Sequence, residues 1–196
     1  MKKSLLILSI ALFFIGCGKK SSLTDEEVVL YTDQGKTIAD ATYKALSSQL
    51  KQALQSGGVE KASGFCNIVA LPLTDSLSRQ YDAKIKRTSL KLRNPLNAPD
   101  SMELTMLKIY DQMSKMRNPV LVPKILEKGK DEIQFFAPIP IKNETCLKCH
   151  GILGQTMQEE DYAYIKKHYP NDEATGYKMD QVRGMWSITL KRKDAR

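Results

Sequence analysis

Cys146-Leu147-Lys148-Cys149-His150 sets two thiols two residues apart, with an imidazole directly after them. At this spacing each sulfur can add across one vinyl group of a porphyrin, and the histidine then falls beneath the iron as an axial ligand. The pattern predicts one covalently bound c-type haem and a fold built around it. A Cys-x-x-Cys can also be half of a zinc site, but tetrahedral zinc needs four ligands. The chain has neither a second such pair nor a spaced histidine pair. A thioredoxin-like dithiol would sit in a parallel strand-helix unit, which the surrounding sequence does not suggest.

Thioether attachment takes place outside the cytoplasm, so an export signal is expected at the N-terminus. Lys2 and Lys3 form a basic start, and residues 5–15 are an apolar run too short for a stable membrane span. Residues 1–16 therefore read as a signal peptide. Phe14-Ile15-Gly16-Cys17 resembles the lipobox of bacterial lipoproteins, which implies lipidation of Cys17 as the first mature residue; the alternative is an ordinary signal peptide that leaves Cys17 free. The expected organisation is a leader over 1–16, an anchor and polar tether over 17–35, and one domain over 36–196. The expected location is the periplasmic side of the inner or outer membrane, held there by the lipid.

Beyond the leader, the chain has the length of one ordinary domain and enough residues to bury a core. It carries a net charge of +8, of which Lys2 and Lys3 supply two, and two haem propionates would lower the mature value further. Such a balance suits an anionic membrane or an acidic redox partner, because opposite charges steer encounter. The cations are scattered among acids rather than grouped with aromatics, which argues against nucleic acid. No sequence feature fixes the oligomeric state, monomer or dimer.

Of the four cysteines, Cys17, Cys146 and Cys149 have roles in this reading and Cys66 is left over. A lone thiol is a liability in an oxidising compartment unless it is buried or bound. From Thr37 the residues Ile38, Ala41, Ala45, Leu46, Ala53 and Leu54 recur mostly at helical steps until Gly57-Gly58, a helix stop. A second helix carries Ala62, Phe65, Cys66, Val69 and Leu73 on one face, with Pro72 expected to kink or divide it. Cys66 thus points inward.

Strand character over 84–92 gives way to the breaker-rich residues 93–100 and then a helix bearing Met102, Met106, Met113 and Met116. These methionines are expected to fill a core, though they could pack on a porphyrin face. Two strands are expected over 120–127 and 132–141, a short helix over 162–168, and a last strand over 185–191 with Trp186, Ile188 and Leu190 on one face. Strands joined by hairpins and single helices imply an α+β fold, an antiparallel sheet with helices packed on it. The competing architecture, a four-helix c-prime cytochrome with a C-terminal haem motif, has no place for the alternating segments.

Gly64-Phe65-Cys66, the stretch from Arg87 to Asp100 (RTSLKLRNPLNAPD), Pro138-Ile139, Cys146 to Gly151, and Tyr177 through Arg183-Gly184 together resemble the PAS-like c-type haem family. That family, long described as a domain of unknown function, includes small cyanobacterial c-type cytochromes and sensory modules of membrane-bound kinases. The resemblance covers roughly residues 37–190. It implies a PAS-like five-stranded antiparallel sheet with N-terminal and flanking helices around one haem.

His150 is fixed as one axial ligand by the motif; spacing alone leaves Cys66, a methionine or His168 for the opposite face. His168 lies near a helix end, where a solvated or capping histidine is the commoner outcome. The resemblance implies a cysteine from the N-terminal helical region, the place that Cys66 occupies. A thiolate there would offset the charge of ferric iron and favour the ferric state. Arg87, Arg93 and Arg183 are candidate partners of the propionates through forked hydrogen bonds, or simply braces of the fold. With both axial positions filled, no enzymatic turnover is expected, and a peroxidase would have only His168 as a distal acid-base group. The expected function is electron transfer to an unidentified redox protein, and the alternative is a redox or gas sensor in which carbon monoxide or nitric oxide displaces Cys66 and a separate protein reads the change.

Overall fold

The computed structural model describes residues 23–193, so the leader and Cys17 lie outside the described residues. Helix α1 spans Asp25–Ile68 and starts in a capping box: the Thr24 hydroxyl accepts from the Glu27 N–H at 3.2 Å while the Glu27 carboxylate accepts from the Thr24 N–H at 3.0 Å. Asp25, Glu26 and Glu27 complement the positive end of the helix dipole. The tether expected to run to residue 35 is therefore helical from Asp25, and Tyr31, 1% exposed, already belongs to the core.

Gly57-Gly58 proves to be a kink and not a stop. Gly58 takes φ +60°, a left-handed conformation that glycine adopts without strain, and the chain then resumes helical geometry to Ile68. It can resume because Val59 and Ala62 have a surface to bury against. Helix α2, Ala70–Gln80, follows a single junction residue, Val69. The division expected at Pro72 thus falls three residues earlier, with Pro72 in the first turn of α2, where a missing N–H removes no helix bond.

Four strands form one antiparallel sheet: β1 Lys84–Thr88, β2 Lys124–Lys128, β3 Glu132–Pro140 and β4 Val182–Lys191, in the order β1-β4-β3-β2. The α+β class holds, but among the described residues the sheet has four strands rather than five. Strand β1 ends at Thr88, short of the expected Leu92. Beyond it the Ser89 hydroxyl takes up the Lys91 N–H at 3.2 Å and donates to the Arg183 carbonyl at 2.7 Å. The chain then passes through a 3-10 turn over Pro95–Asn97 and reaches Pro99. Prolines cannot donate to a ladder, so this stretch at the open edge of β1 supplies no further strand.

The sheet is covered on both faces. On one, α1 and α2 lay Tyr31, Ile38, Leu46 and Ala70 on Ile85, Ile133, Phe135, Ile188 and Leu190. The approach is closest at Gly35, where a Cβ would stand 2.3 Å from the Phe135 ring. On the other, α3 (Ser101–Ser114) packs Met106, Leu107 and Tyr110 on Phe136, Val182 and Met185. Met106, with Met102 and Met113 at its margin, fills this second core as expected, whereas Met116 falls beyond the helix and is 67% exposed. Period-two alternation sets what each face carries: Trp186, Ile188 and Leu190 face α1, while Ser187 and Thr189 face away and share hydrogen bonds of 2.7 and 2.8 Å with buried Gln134. Two short helices, α4 Glu144–His150 and α5 Glu159–His168, complete the chain between β3 and β4.

Candidate functional site

At the end of the sheet where β1 and β3 finish and β4 begins, a cavity of about 270 Å³ is enclosed by the second segment of α1, α4 and α5. The kink at Gly57-Gly58 makes it. Leu50 and Leu54 line the cavity from before the bend, and Ala62, Ser63 and Cys66 line it from after.

Helix α4 presents Cys146, Cys149 and His150 to this space. Asn143 caps its start by accepting the Cys146 N–H, and the Gly151 N–H closes its end on the Leu147 carbonyl at 2.8 Å. A Cβ at Gly151 would stand 2.5 Å from the Leu147 carbonyl oxygen and 2.1 Å from Thr156 Oγ1, so only glycine fits the exit from the motif. The residues after α5 fasten to this exit: the Gly176 N–H donates to the Gly151 carbonyl and the Tyr177 N–H to the His150 carbonyl.

The His150 imidazole is held from the side. Its Nδ1 lies 2.8 Å from the Ala174 carbonyl oxygen and 3.1 Å from Arg183 Nε, and one nitrogen cannot donate to the first and accept from the second. The carbonyl can only accept and is the closer, so Nδ1 carries the proton and Nε2 keeps a lone pair. In that tautomer Nδ1 cannot accept from Arg183 Nε, and Arg183 is held through its Nη1 instead, which donates to the Ser89 hydroxyl at 2.6 Å and the Lys91 carbonyl at 3.2 Å. Burial, and then the neighbouring Arg183 and Arg93, hold His150 well below the usual imidazole range, leaving it neutral as a metal ligand must be. Tyr177 stands edge-on to the ring, 6.4 Å between centroids.

Cys66 is half-buried and lines the opposite wall. Burial pushes its thiol up, and Arg87 and Arg93 pull it back towards the thiolate. Cys149 is pushed up to about 11, chiefly by burial. The other candidate donors for the second axial position lie elsewhere. His168 does not line the cavity and packs on Gly64, its Nε2 3.7 Å from where a Cβ there would stand. No methionine lines the cavity either. Tyr169 does, but burial drives its phenol far above the usual range, so it stays protonated.

The three arginines separate into two kinds. Arg93 is engaged by Asp172 through Nε–Oδ1 and Nη2–Oδ2 bonds of 3.0 Å each, and its Nη2 also donates to the Cys149 carbonyl at 2.6 Å. It braces the site rather than offering a free fork. Arg87 stacks on Trp186, its pairing partner on β4, at 5.8 Å, and Arg183 stacks on Tyr177 at 5.6 Å. Neither has a carboxylate partner among the described residues. Asp172, Ala174 and Tyr169 carry no motif that would mark them in the sequence as parts of the site. Asp172 meets Arg93 across 79 residues of chain.

The sequence profile of the Tll0287-like family matches residues 22–191. The chain belongs to the Tll0287-like family. Among solved structures, that of the cyanobacterial haem protein Tll0287 superposes with a TM-score of 0.56 at 20% identity, over 89% of this chain and 100% of that one. No curated protein is significantly similar. The match places the helices and sheet of this chain in the Tll0287-like fold.

Within that fold the donor set fits a covalently attached haem. One wall offers two sulfurs and an imidazole nitrogen with a free lone pair, the other a third sulfur, the Cys66 thiol, which burial holds above its usual range against the pull of Arg87 and Arg93. Leu50, Leu54, Leu92, Ile139, Ile141 and Ile165 supply apolar contact. Arg87 and Arg183 are cations in a mostly apolar cleft without compensating anions, a costly arrangement that the two carboxylates of a porphyrin would relieve. Among the described residues no three His, Cys, Asp or Glu side chains are grouped to hold a bare ion.

Proposed function

We propose that this protein is an exported mono-haem c-type cytochrome, tethered to a membrane through Cys17 and acting in electron transfer. The observation that carries the reading is the composition of the cavity wall: beside the Cys146/Cys149 pair, the imidazole of His150 and the thiol of Cys66 line it. A bound haem would supply a reversible one-electron couple. Cys146 and Cys149 would hold it by thioether bonds, and His150 and Cys66 would supply ligands to its iron. Arg87 and Arg183 would bind the propionates, and a Cys66 thiolate on the iron would favour the ferric state. With both of these ligands supplied by the protein, the iron would offer no open site for a substrate, and we expect no turnover with peroxide. The anchor rests on the lipobox resemblance, and no helix among the described residues is long and apolar enough to cross a membrane.

Electron paramagnetic resonance of the oxidised protein tests the ligand set, since thiolate, methionine and imidazole ligation give distinct signals. Cys66→Ala is expected to change the visible spectrum and raise the reduction potential, and an unchanged spectrum would remove Cys66 from the iron. A second reading, a redox or gas sensor, is favoured by one feature: Cys66 lies beyond the kink, on a segment that ends at exposed Ile68 and Val69. Rapid binding of carbon monoxide to the reduced protein supports the sensor, and no spectral change supports the carrier. Cys17→Ala should move the protein from the membrane to the soluble periplasmic fraction.

A further inference from the structure

We infer that Arg93 and Asp172 are positioning residues for His150, acting through the Ala174 carbonyl to fix which ring nitrogen faces the cavity. The inference rests on the proposed role of His150 as an axial ligand and assigns Arg93 away from the propionates.

The connections run without a gap from a buried ion pair to the ring. The Asp172 side chain is fully buried at 0% exposure and that of Arg93 is 14% exposed. Arg93 fixes both Asp172 oxygens at 3.0 Å. Oδ1 of Asp172 also accepts the Ala174 N–H at 3.0 Å, which turns the Ala174 peptide so that its carbonyl meets His150 Nδ1 at 2.8 Å. Two further bonds hold the loop in register: the Glu173 N–H donates to the Leu92 carbonyl at 2.8 Å, next to Arg93, and the Asp172 N–H to the Tyr169 carbonyl at 3.0 Å. Arg93 reaches the motif a second time through the Cys149 carbonyl at 2.6 Å. One guanidinium thus fixes both the backbone that carries the imidazole and the acceptor that orients it.

The physical consequence concerns a tautomer. A free imidazole can place its proton on either nitrogen, and only the Nδ1–H form offers Nε2 to a metal. A carbonyl held on Nδ1 selects that form, sets the ring angle and raises the basicity of Nε2. Without Asp172 the Ala174 peptide is free to turn, and the Arg93 charge is left buried without its anion.

The test uses the haem-loaded full chain in its reduced state, reading the exchange of the His150 Nδ1 proton with solvent by NMR alongside the midpoint potential. In Asp172→Ala the proton should exchange several-fold faster and the potential should rise. Asp172→Asn keeps an acceptor for the Ala174 N–H and should recover part of both effects. Arg93→Lys keeps the charge but loses the fork and serves as the second variant if Asp172→Ala does not load. Lys115→Gln, which only breaks an exposed ion pair with Asp111, should leave the exchange rate alone. Wild-type exchange in Asp172→Ala, or in Arg93→Lys where that is the variant that loads, overturns the inference. Faster exchange with unaltered potential and spectrum overturns it as a device acting on the metal. If the wild-type chain takes up no haem, the cofactor reading falls, and the same exchange measurement on the unloaded chain and its Asp172→Ala variant decides the positioning role: a wild-type rate in the variant overturns it.

Discussion

The two walls of the cavity are built differently. The wall bearing Cys146, Cys149 and His150 is a capped helix whose exit glycine fits its surroundings tightly and whose end is fastened to the loop over residues 174–177. That loop is in turn clamped by the buried Arg93–Asp172 pair. The wall bearing Cys66 is a helical segment entered through a two-glycine bend and left at a junction where Ile68 is 69% exposed. Its side-chain hydrogen bond, from the Ser63 hydroxyl to the Glu60 carbonyl, stays within the segment. A cofactor between these walls would be gripped on one side by a network and faced on the other by an element able to move. Local stability differs between such elements, and the less cross-connected one is where an exchangeable ligand belongs.

Substitutions on the two walls should therefore differ in kind. The largest effect is expected on the networked wall, where Cys149→Ser removes one thioether and should leave the pigment partly extractable into acidified organic solvent, while wild-type haem stays with the protein. Next comes Gly151→Ala, which drives a Cβ against the Leu147 carbonyl and Thr156; overpacking of this sort costs about 1–3 kcal/mol, and thermal unfolding should show it. Gly58→Ala on the hinged wall meets nothing within 4 Å but must hold φ +60°. We expect a loss of about 1–2 kcal/mol from the backbone alone, smaller than at Gly151, with an altered Cys66 signal if the bend aims that segment.

The smallest effect is expected far from both walls, at the ion pair between Glu27 and Arg192, 2.7 Å apart. Arg192 holds the Glu27 carboxyl below its usual value of 4.5. A depressed folded-state pKa stabilises above the unfolded value and is lost as pH falls through the folded one, so the contribution fades below about pH 4.5. Glu27→Gln should flatten that acid limb in a stability-against-pH series without touching the haem spectrum. A spectral change there would mean that the walls are coupled to the far end of α1.

Much of the fold was legible because it is local. The strands expected over 84–92, 132–141 and 185–191 are found at 84–88, 132–140 and 182–191, the last of them marked by the alternation of Trp186, Ile188 and Leu190 with Ser187 and Thr189; α3 follows its methionine spacing over Met102, Met106 and Met113, and the haem motif is chemistry packed into five adjacent residues. The capping box at Thr24 and Glu27 was readable too, yet the polar look of residues 19–32 disguised a helix whose buried face is sparse in that stretch. The missing fifth strand and the role of Arg93 were not legible. The first depends on which edge stays open and the second on an acid 79 residues away.

The sequence by itself determined that two sulfurs and an imidazole stand together, that Cys66 lies on an inward helical face, and that an antiparallel sheet supports helices, because each is set by spacing along the chain. Only the tertiary structure decided which arginine is committed to a carboxylate and which are not, that His168 and the methionines lie off the cavity wall, and which nitrogen of His150 keeps its lone pair. Those outcomes depend on hydrogen bonds and packing between segments remote in sequence, and the direction of a donor in space is not encoded in any one of them.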